Sequence, residues 1–213
     1  MSAPLLLPAR FEDWCDPRRT GLLVYDMQVG VCRQAAQADA VIERCRVALE
    51  AARRAGMRVA FSRHQSLSRP WLGATQLRTA MAWQRASSRD TVQSWFMRGA
   101  PAAEIVPALA PRADEIVVDK LSMSAFEGTP LATAWRDCGL VGVAVVGIAL
   151  EIGIEPTVRH ATDLGLVPIV LADACGSGRA EAGARTLATM RFVGEAVIGE
   201  VDGFAAALAR SPA

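Results

Sequence analysis

Lysine is nearly missing from this sequence. Of its 23 basic side chains only Lys120 is lysine, and the rest are arginine. Net charge is missing too: 23 basic groups face 22 acidic ones, for a formal +1. Such a balance supplies no field to draw in nucleic acid or an acidic membrane, and no basic run exceeds the pairs Arg18-Arg19 and Arg53-Arg54. The longest near-continuous apolar stretch, Leu140–Leu150, falls short of the roughly 20 residues a bilayer span takes and reads as a buried strand. The five cysteines are scattered, odd in number and without a Cys-x-x-Cys, so neither a disulfide framework nor a zinc knuckle is suggested. The opening MSAPLLLPAR has no positive charge ahead of its leucines, so no secretory leader is expected and a soluble cytoplasmic protein is. Repeats, low-complexity tracts and linkers are absent.

What is present is ample core material. Of the 213 residues, 52% are hydrophobic and 21% charged, enough for one good-sized domain and too apolar for a disordered chain. The Ala/Arg bias suggests a GC-rich bacterial genome in which Lys drifts to Arg wherever Arg will serve. Lys120 is therefore a candidate for a position that needs a compact ammonium.

Short β-type runs alternate with helical ones. Gly21–Asp26, Met57–Ser62, Glu115–Asp119, Val141–Gly147, Leu166–Ala172 and Ala196–Gly199 read as strands. Ala38–Ala55 places Ile42, Cys45, Leu49 and Ala52 on one helical face. Thr129-Pro130 is a helix start, a hydroxyl cap followed by proline, and Ile154–Leu164, Ala180–Arg191 and Asp202–Ala209 complete the helices. Between Arg63 and Pro111 only weak helical periodicity at Gln76–Gln84 stands out. Continuous apolar strands separated by helices predict an α/β fold, a single-domain Rossmann-like sandwich whose mostly parallel sheet has helices on both faces. Residues 1–20 read as an N-terminal extension and 21–213 as the domain.

In such a sheet, ligands bind outside the carboxyl ends of the strands. The first strand ends in Asp26 and the third in Lys120. The fourth runs into the turn Gly147-Ile148-Ala149-Leu150-Glu151-Ile152-Gly153 ahead of a helix. An acid, an ammonium and helix-start N–H groups would share one crevice, which supplies a proton carrier, a charge to tune it and donors for a developing anion.

These segments, LLVYDMQ (Leu22–Gln28), DKLSMSAFEGTPL (Asp119–Leu131) and GIALEIGIEPTVRHATDLGLVPIVLADAC (Gly147–Cys175), resemble the isochorismatase-like hydrolases, the family of nicotinamidases, N-carbamoylsarcosine amidohydrolases and isochorismatases. The resemblance spans Gly21 to Gly199, is weak from Arg63 to Pro111, and implies the isochorismatase-like fold. It places Asp26 and Lys120 on the first two members of the amidohydrolases' Asp-Lys-Cys triad and Gly153 on the cysteine, so thiolate attack has no nucleophile there. True isochorismatases carry Gly at that place and hydrolyse a vinyl ether without a covalent nucleophile. Their Tyr-Ala-His is here Ala149-Leu150-Glu151, closer to the amidohydrolase Ala-Thr-Glu.

The expectation is therefore a cofactor-independent, metal-free hydrolase of a small, anionic metabolite. It uses Asp26, Lys120 and backbone N–H groups near Gly153, with vinyl-ether hydrolysis favoured. Amide or ureido hydrolysis by activated water and a catalytically degenerate ligand binder are the alternatives. Candidate substrate-binding residues are Gln28, Arg63 as a carboxylate clamp, His64, Ile148, Ala149, Leu150 and Glu151. The resemblance implies a non-proline cis peptide at Ile148–Ala149 and a homodimer or higher assembly. A nicotinamidase-type zinc site lacks its residues, since only His64 follows the second strand. Gly176-Ser177-Gly178 reads as a strand-to-helix turn, His160 as a packing residue, and Trp71, Trp83 and Trp95 as a wall over the crevice or a subunit contact.

Overall fold

A computed structural model describes Pro8 and residues 10–210. The MSAPLLLPAR opening lies largely outside the described residues. Six parallel strands form one sheet: β1 (Thr20–Tyr25), β2 (Val59–His64), β3 (Ile116–Lys120), β4 (Gly142–Ile148), β5 (Val167–Gly176) and β6 (Val197–Gly199), in the order β3-β2-β1-β4-β5-β6. The helices are α1 (Val29–Cys32), α2 (Ala38–Arg54), α3 (Ala74–Gln84), α4 (Leu131–Asp137), α5 (Glu155–Asp163), α6 (Ala180–Val193) and α7 (Val201–Arg210). The α/β class and the parallel sheet are as the apolar runs predict.

Alternation along the buried strands divides the core in two. Leu22 and Val24 of β1 face a layer built with α2 and α7, through Cys45, Leu49 and Phe204. Leu23 and Tyr25 face α4, α5 and α6, through Trp135, Val158 and Met190. Each large apolar side chain buried this way contributes roughly 1.5–3 kcal/mol. The segment read as an extension carries a 3-10 turn at Phe11–Trp14. The Phe11 ring packs against Gly199 of β6, leaving no room for a Cβ there.

Two elements differ from expectation. β5 continues past Ala172 to Gly176 because, beyond a register shift, Cys175 and Gly176 pair with Gly147 and Ile148. The helix expected from Ile154 begins earlier, as a π-helical turn at Leu150–Ile154 that runs directly into α5. The sheet order reverses direction between β1 and β4, so the crevice for a ligand lies beyond the carboxyl ends of these two strands. Asp26 and the turn after β4 stand there.

Candidate active site

Asp26 follows β1 with a φ of 45°, in the left-handed region that aspartate tolerates better than most residues. Register sets Ser62 of β2 opposite Tyr25. The Ser62 hydroxyl donates to Asp26 Oδ1 at 2.6 Å and accepts the Asp26 N–H at 3.2 Å. Lys120 ends β3, two strands from β1, and its ammonium reaches across to Asp26 Oδ2 at 2.7 Å. It also donates to the Tyr25 hydroxyl at 2.8 Å and to the Ser122 carbonyl at 3.1 Å. An ammonium has three protons, and each has an acceptor. The Tyr25 hydroxyl donates onward to the Met123 carbonyl at 2.5 Å. Burial, with Asp26 nearby, pushes the Tyr25 phenol well above its ordinary pKa, so it stays protonated. The Lys120 side chain is 0% exposed and that of Asp26 8%. Charges so buried persist only when paired and hydrogen-bonded, as these are.

A cavity of about 680 Å³ opens over this floor. Asp26 and Tyr25 line its base, His64, Trp83, Trp95 and Phe96 one wall, and Ile148, Ala149, Glu151, Ile152 and Gly153 the other. The Ile148–Ala149 peptide is cis, as the resemblance implies. Close approach of backbones shapes this corner. Gly147, at a φ of 132°, packs on the Tyr25 carbonyl so tightly that a Cβ would collide with it. Gly153 faces the Tyr25 side chain: a Cβ on it would overlap the hydroxyl and ring, with Cε1 only 2.7 Å away. The tyrosine hydroxyl thus fills the space into which a side chain at position 153 would extend.

The structure brings Asp26, His64, Ile148, Ala149, Glu151 and Gly153 to the cavity, with Lys120 beneath Asp26. Other expected residues go elsewhere. The Arg63 guanidinium donates to Asp119 at 2.8 Å, lies 3.6 Å from Glu104, and is not part of the lining. The carboxylate-clamp reading fails for it because its charge is already paired. Gln28 is 0% exposed; its amide bonds the His64 N–H and carbonyl and the Ala103 carbonyl. It therefore ties β2 to the 100–104 segment and does not face ligand. Leu150 is buried in the core cluster that includes Ile154 and Val158, outside the lining. The N–H groups of Ile152, Gly153 and Ile154 all converge on the Ala149 carbonyl, so the Gly153 N–H is not free for an anion. Trp71 stands 75% exposed outside the lining, while Trp83 and Trp95 belong to it. The His160 ring bonds Ser124 and stacks edge-on with Phe126, a packing role.

Tyr25, Ser62, Phe96, Arg85 and Arg179 join the site without having been singled out in the sequence. Tyr25 is the chain's one tyrosine and directly precedes Asp26. Ser62 ends the apolar run Val59–Phe61, ahead of Arg63 and His64, and a hydroxyl at a strand end was a legible signal, whereas a tyrosine inside β1 reads as core. Arg85 and Arg179 line the cavity, and neither guanidinium has an acid partner among the described residues. None of the five cysteines lines it. Cys15, Cys32, Cys45 and Cys175 are buried and Cys138 is exposed. Burial pushes the Cys15 thiol up to about 12 and that of Cys32 to about 11. Among the described residues no group of His, Cys, Asp and Glu could hold a metal ion.

Comparison with known proteins bears on this geometry. The Isochorismatase domain family model matches residues 20–200. Ureidoacrylate amidohydrolase RutB of Serratia proteamaculans is 31% identical over 186 residues, covering 80% of this chain and 75% of that protein. Among solved structures, a cysteine hydrolase from Pseudomonas syringae superposes with a TM-score of 0.79 at 23% identity, over 98% of this chain and 99% of the other. N-carbamoylsarcosine amidase from Thermoplasma acidophilum does so with a TM-score of 0.70 at 22% identity, over 86% and 97%.

Proposed function

The chain belongs to the isochorismatase family and is a hydrolase, and we propose that it cleaves the C–N bond of a small amide or ureido compound by water attack, with Asp26 as general base and no covalent enzyme intermediate. One observation carries this reading. The Asp26 carboxylate lines the cavity, accepts from Lys120 and Ser62 on its two oxygens, and has the Tyr25 hydroxyl where a side chain at position 153 would otherwise project. Donors on both oxygens fix the orientation of a carboxylate that faces the cavity, the placement a general base needs. Asp26 removes one from water as the water oxygen adds to the carbonyl carbon; the same proton then passes to the leaving nitrogen as the C–N bond breaks. Lys120 keeps the carboxylate in place and offsets its charge in the buried floor. Arg85 and Arg179, whose guanidinium groups have no acid partner among the described residues, are the candidates for an anionic end of the substrate, the part first expected of Arg63.

Ammonia or amine release from a panel of ureido and amide acids tests this reading. Asp26→Asn should lower turnover by about 10²–10⁴, the usual worth of a positioned proton carrier, and iodoacetamide should alkylate Cys138 without loss of activity. Rapid inactivation by the thiol reagent would overturn the proposal. The vinyl-ether reading, favoured by the sequence, keeps one point in its favour: a glycine at position 153, as the resemblance implies for true isochorismatases. It requires Asp26 to enter the reaction already carrying a proton, whereas the amide route starts from the carboxylate that accepts from Lys120 and Ser62. Pyruvate release from isochorismate would restore it. Cytoplasmic residence and homo-oligomeric assembly belong to the same proposal; among the described residues no helix is long and apolar enough to cross a membrane.

A further inference from the structure

We propose that the substrate carries an apolar body, aromatic or branched, and an N–H that Glu151 accepts; this deepens the amide and ureido reading above and rests on it. The Glu151 carboxylate is anchored on one side, where Oε1 accepts the backbone N–H of Gly178 at 2.8 Å and of Arg179 at 3.0 Å. Its other oxygen, Oε2, is closed off from solvent and has no hydrogen-bond partner among the described residues, although the residue lines the cavity. A buried carboxylate oxygen without a donor is costly and calls for an explanation. Asp26 and Glu151 line the same cavity; a small turn of the carboxylate about its anchored Oε1 would bring Oε2 to face it, where an amide whose carbonyl meets water at Asp26 offers its N–H.

The walls specify the remainder of the molecule. Trp83 is 37% exposed, Trp95 41% and Ile152 36%, all lining this cavity. Large apolar side chains are ordinarily covered, and a contiguous exposed group of them marks a binding surface. With Phe96 and Ile148 they make one apolar enclosure. Its volume of about 680 Å³ lies in the range of sites that hold ligands much larger than a short acyclic ureido acid. An acyclic substrate would leave the indole faces wet.

Three acids of equal charge separate the two parts of the proposal: N-acetylphenylalanine, N-acetylglycine, and O-acetylphenyllactate, in which the N–H is replaced by oxygen. Binding is read on the wild-type protein by rapid-mixing tryptophan fluorescence. N-acetylphenylalanine should bind at least about tenfold more tightly than either of the others, because a site built to accept an N–H discriminates strongly against an analogue without it. In Glu151→Gln the backbone N–H groups of Gly178 and Arg179 keep the amide oxygen, which turns the NH₂ toward the ligand. The preference for N–H over oxygen should then vanish or reverse. In Trp83→Ala the preference for phenylalanine over glycine should shrink to within about threefold. Equal binding of the two phenyl compounds to wild type overturns the Glu151 role without needing a variant. Equal binding of the glycine and phenylalanine compounds, or no binding of any, overturns the apolar class. Selective binding with no hydrolysis of any amide or ureido acid sinks the catalytic reading and leaves this one standing.

Discussion

Lys120, at the floor of the cavity, has all three protons hydrogen-bonded and no exposed side-chain surface, whereas Trp83 and Trp95 in the wall leave more than a third of theirs open. The floor comes from the ends of β1, β2 and β3, where parallel pairing fixes Ser62 opposite Tyr25 and His64 opposite Lys120. The wall comes from residues 63–111, a single regular helix and a set of 3-10 turns. A rigid floor can hold a proton carrier within a few tenths of an ångström, which catalysis requires. A loop-built wall can change its side chains without disturbing the sheet. The proposed chemistry therefore resides in the floor and the proposed substrate choice in the wall.

That division predicts unequal costs of mutation. Lys120→Met is expected to have the largest effect, because it strips Asp26 of its cationic partner while leaving the carboxylate buried. Breaking a buried pair in this way costs about 3–5 kcal/mol, measurable as a lower midpoint in urea unfolding. Replacing both members with apolar residues should cost less than Lys120→Met alone. If Lys120→Met matched wild type, the floor could not be the rigid, charge-paired unit described.

Gly153→Cys comes next. The added Cβ would meet the Tyr25 ring and hydroxyl, and forced overpacking of this kind costs about 1–3 kcal/mol or more. Adding Tyr25→Val removes the obstruction, so the double variant should be more stable than the sum of the two single changes allows, the non-additivity expected of contacting residues. Its new thiol, beside Lys120, should react with iodoacetamide faster than Cys138. Strict additivity would mean that the two positions do not share one space.

The floor was also the more legible region in the sequence, for the same physical reason. Buried parallel strands must be apolar along their length, so GLLVY and VAVVG announce themselves, and a charge at the end of such a run stands out, as Asp26 and Lys120 do. Expected boundaries missed where tertiary pairing extended an element: β5 reaches Gly176 only because β4 offers Gly147 and Ile148 as partners. The resemblance supplied Gly153. It could not supply Tyr25, because on a strand's inward face one more bulky residue looks like core until its hydroxyl is seen bonded to Lys120. The wall carries only the weak periodicity at Gln76–Gln84, where α3 forms. Arg63 looked like a clamp because nothing in the sequence reveals that Asp119, its register partner on β3, takes its charge.

His64 joins the two regions, ending β2 while its ring packs edge-on against Trp83 and Phe96 at 5.7 and 5.6 Å. Burial is the main cause that lowers its pKa from 6.5; Lys120 lowers it further and Asp26 opposes. The unfolded chain therefore binds this proton more readily than the folded one. The resulting stability is complete above about 6.5 and is lost as pH falls below that value toward the folded pKa. Unfolding free energy should drop between pH 7 and pH 5.5, and His64→Phe should reduce the drop. An unchanged drop in that variant would place the acid sensitivity elsewhere.

Trp71 should contribute least. It belongs to the same segment as Trp83 and Trp95, yet it is 75% exposed and outside the cavity lining. If the wall acts through the side chains that enclose the ligand, Trp71→Ser should alter stability by no more than about 0.5 kcal/mol, as surface changes away from special features do, and leave acyl-amino-acid affinity within about twofold. A tenfold loss of affinity in Trp71→Ser would mean that Trp71 reaches the bound molecule and that the segment closes further over it. The wall would then be a moving part, and its contrast with the floor would lie in mobility as well as in composition.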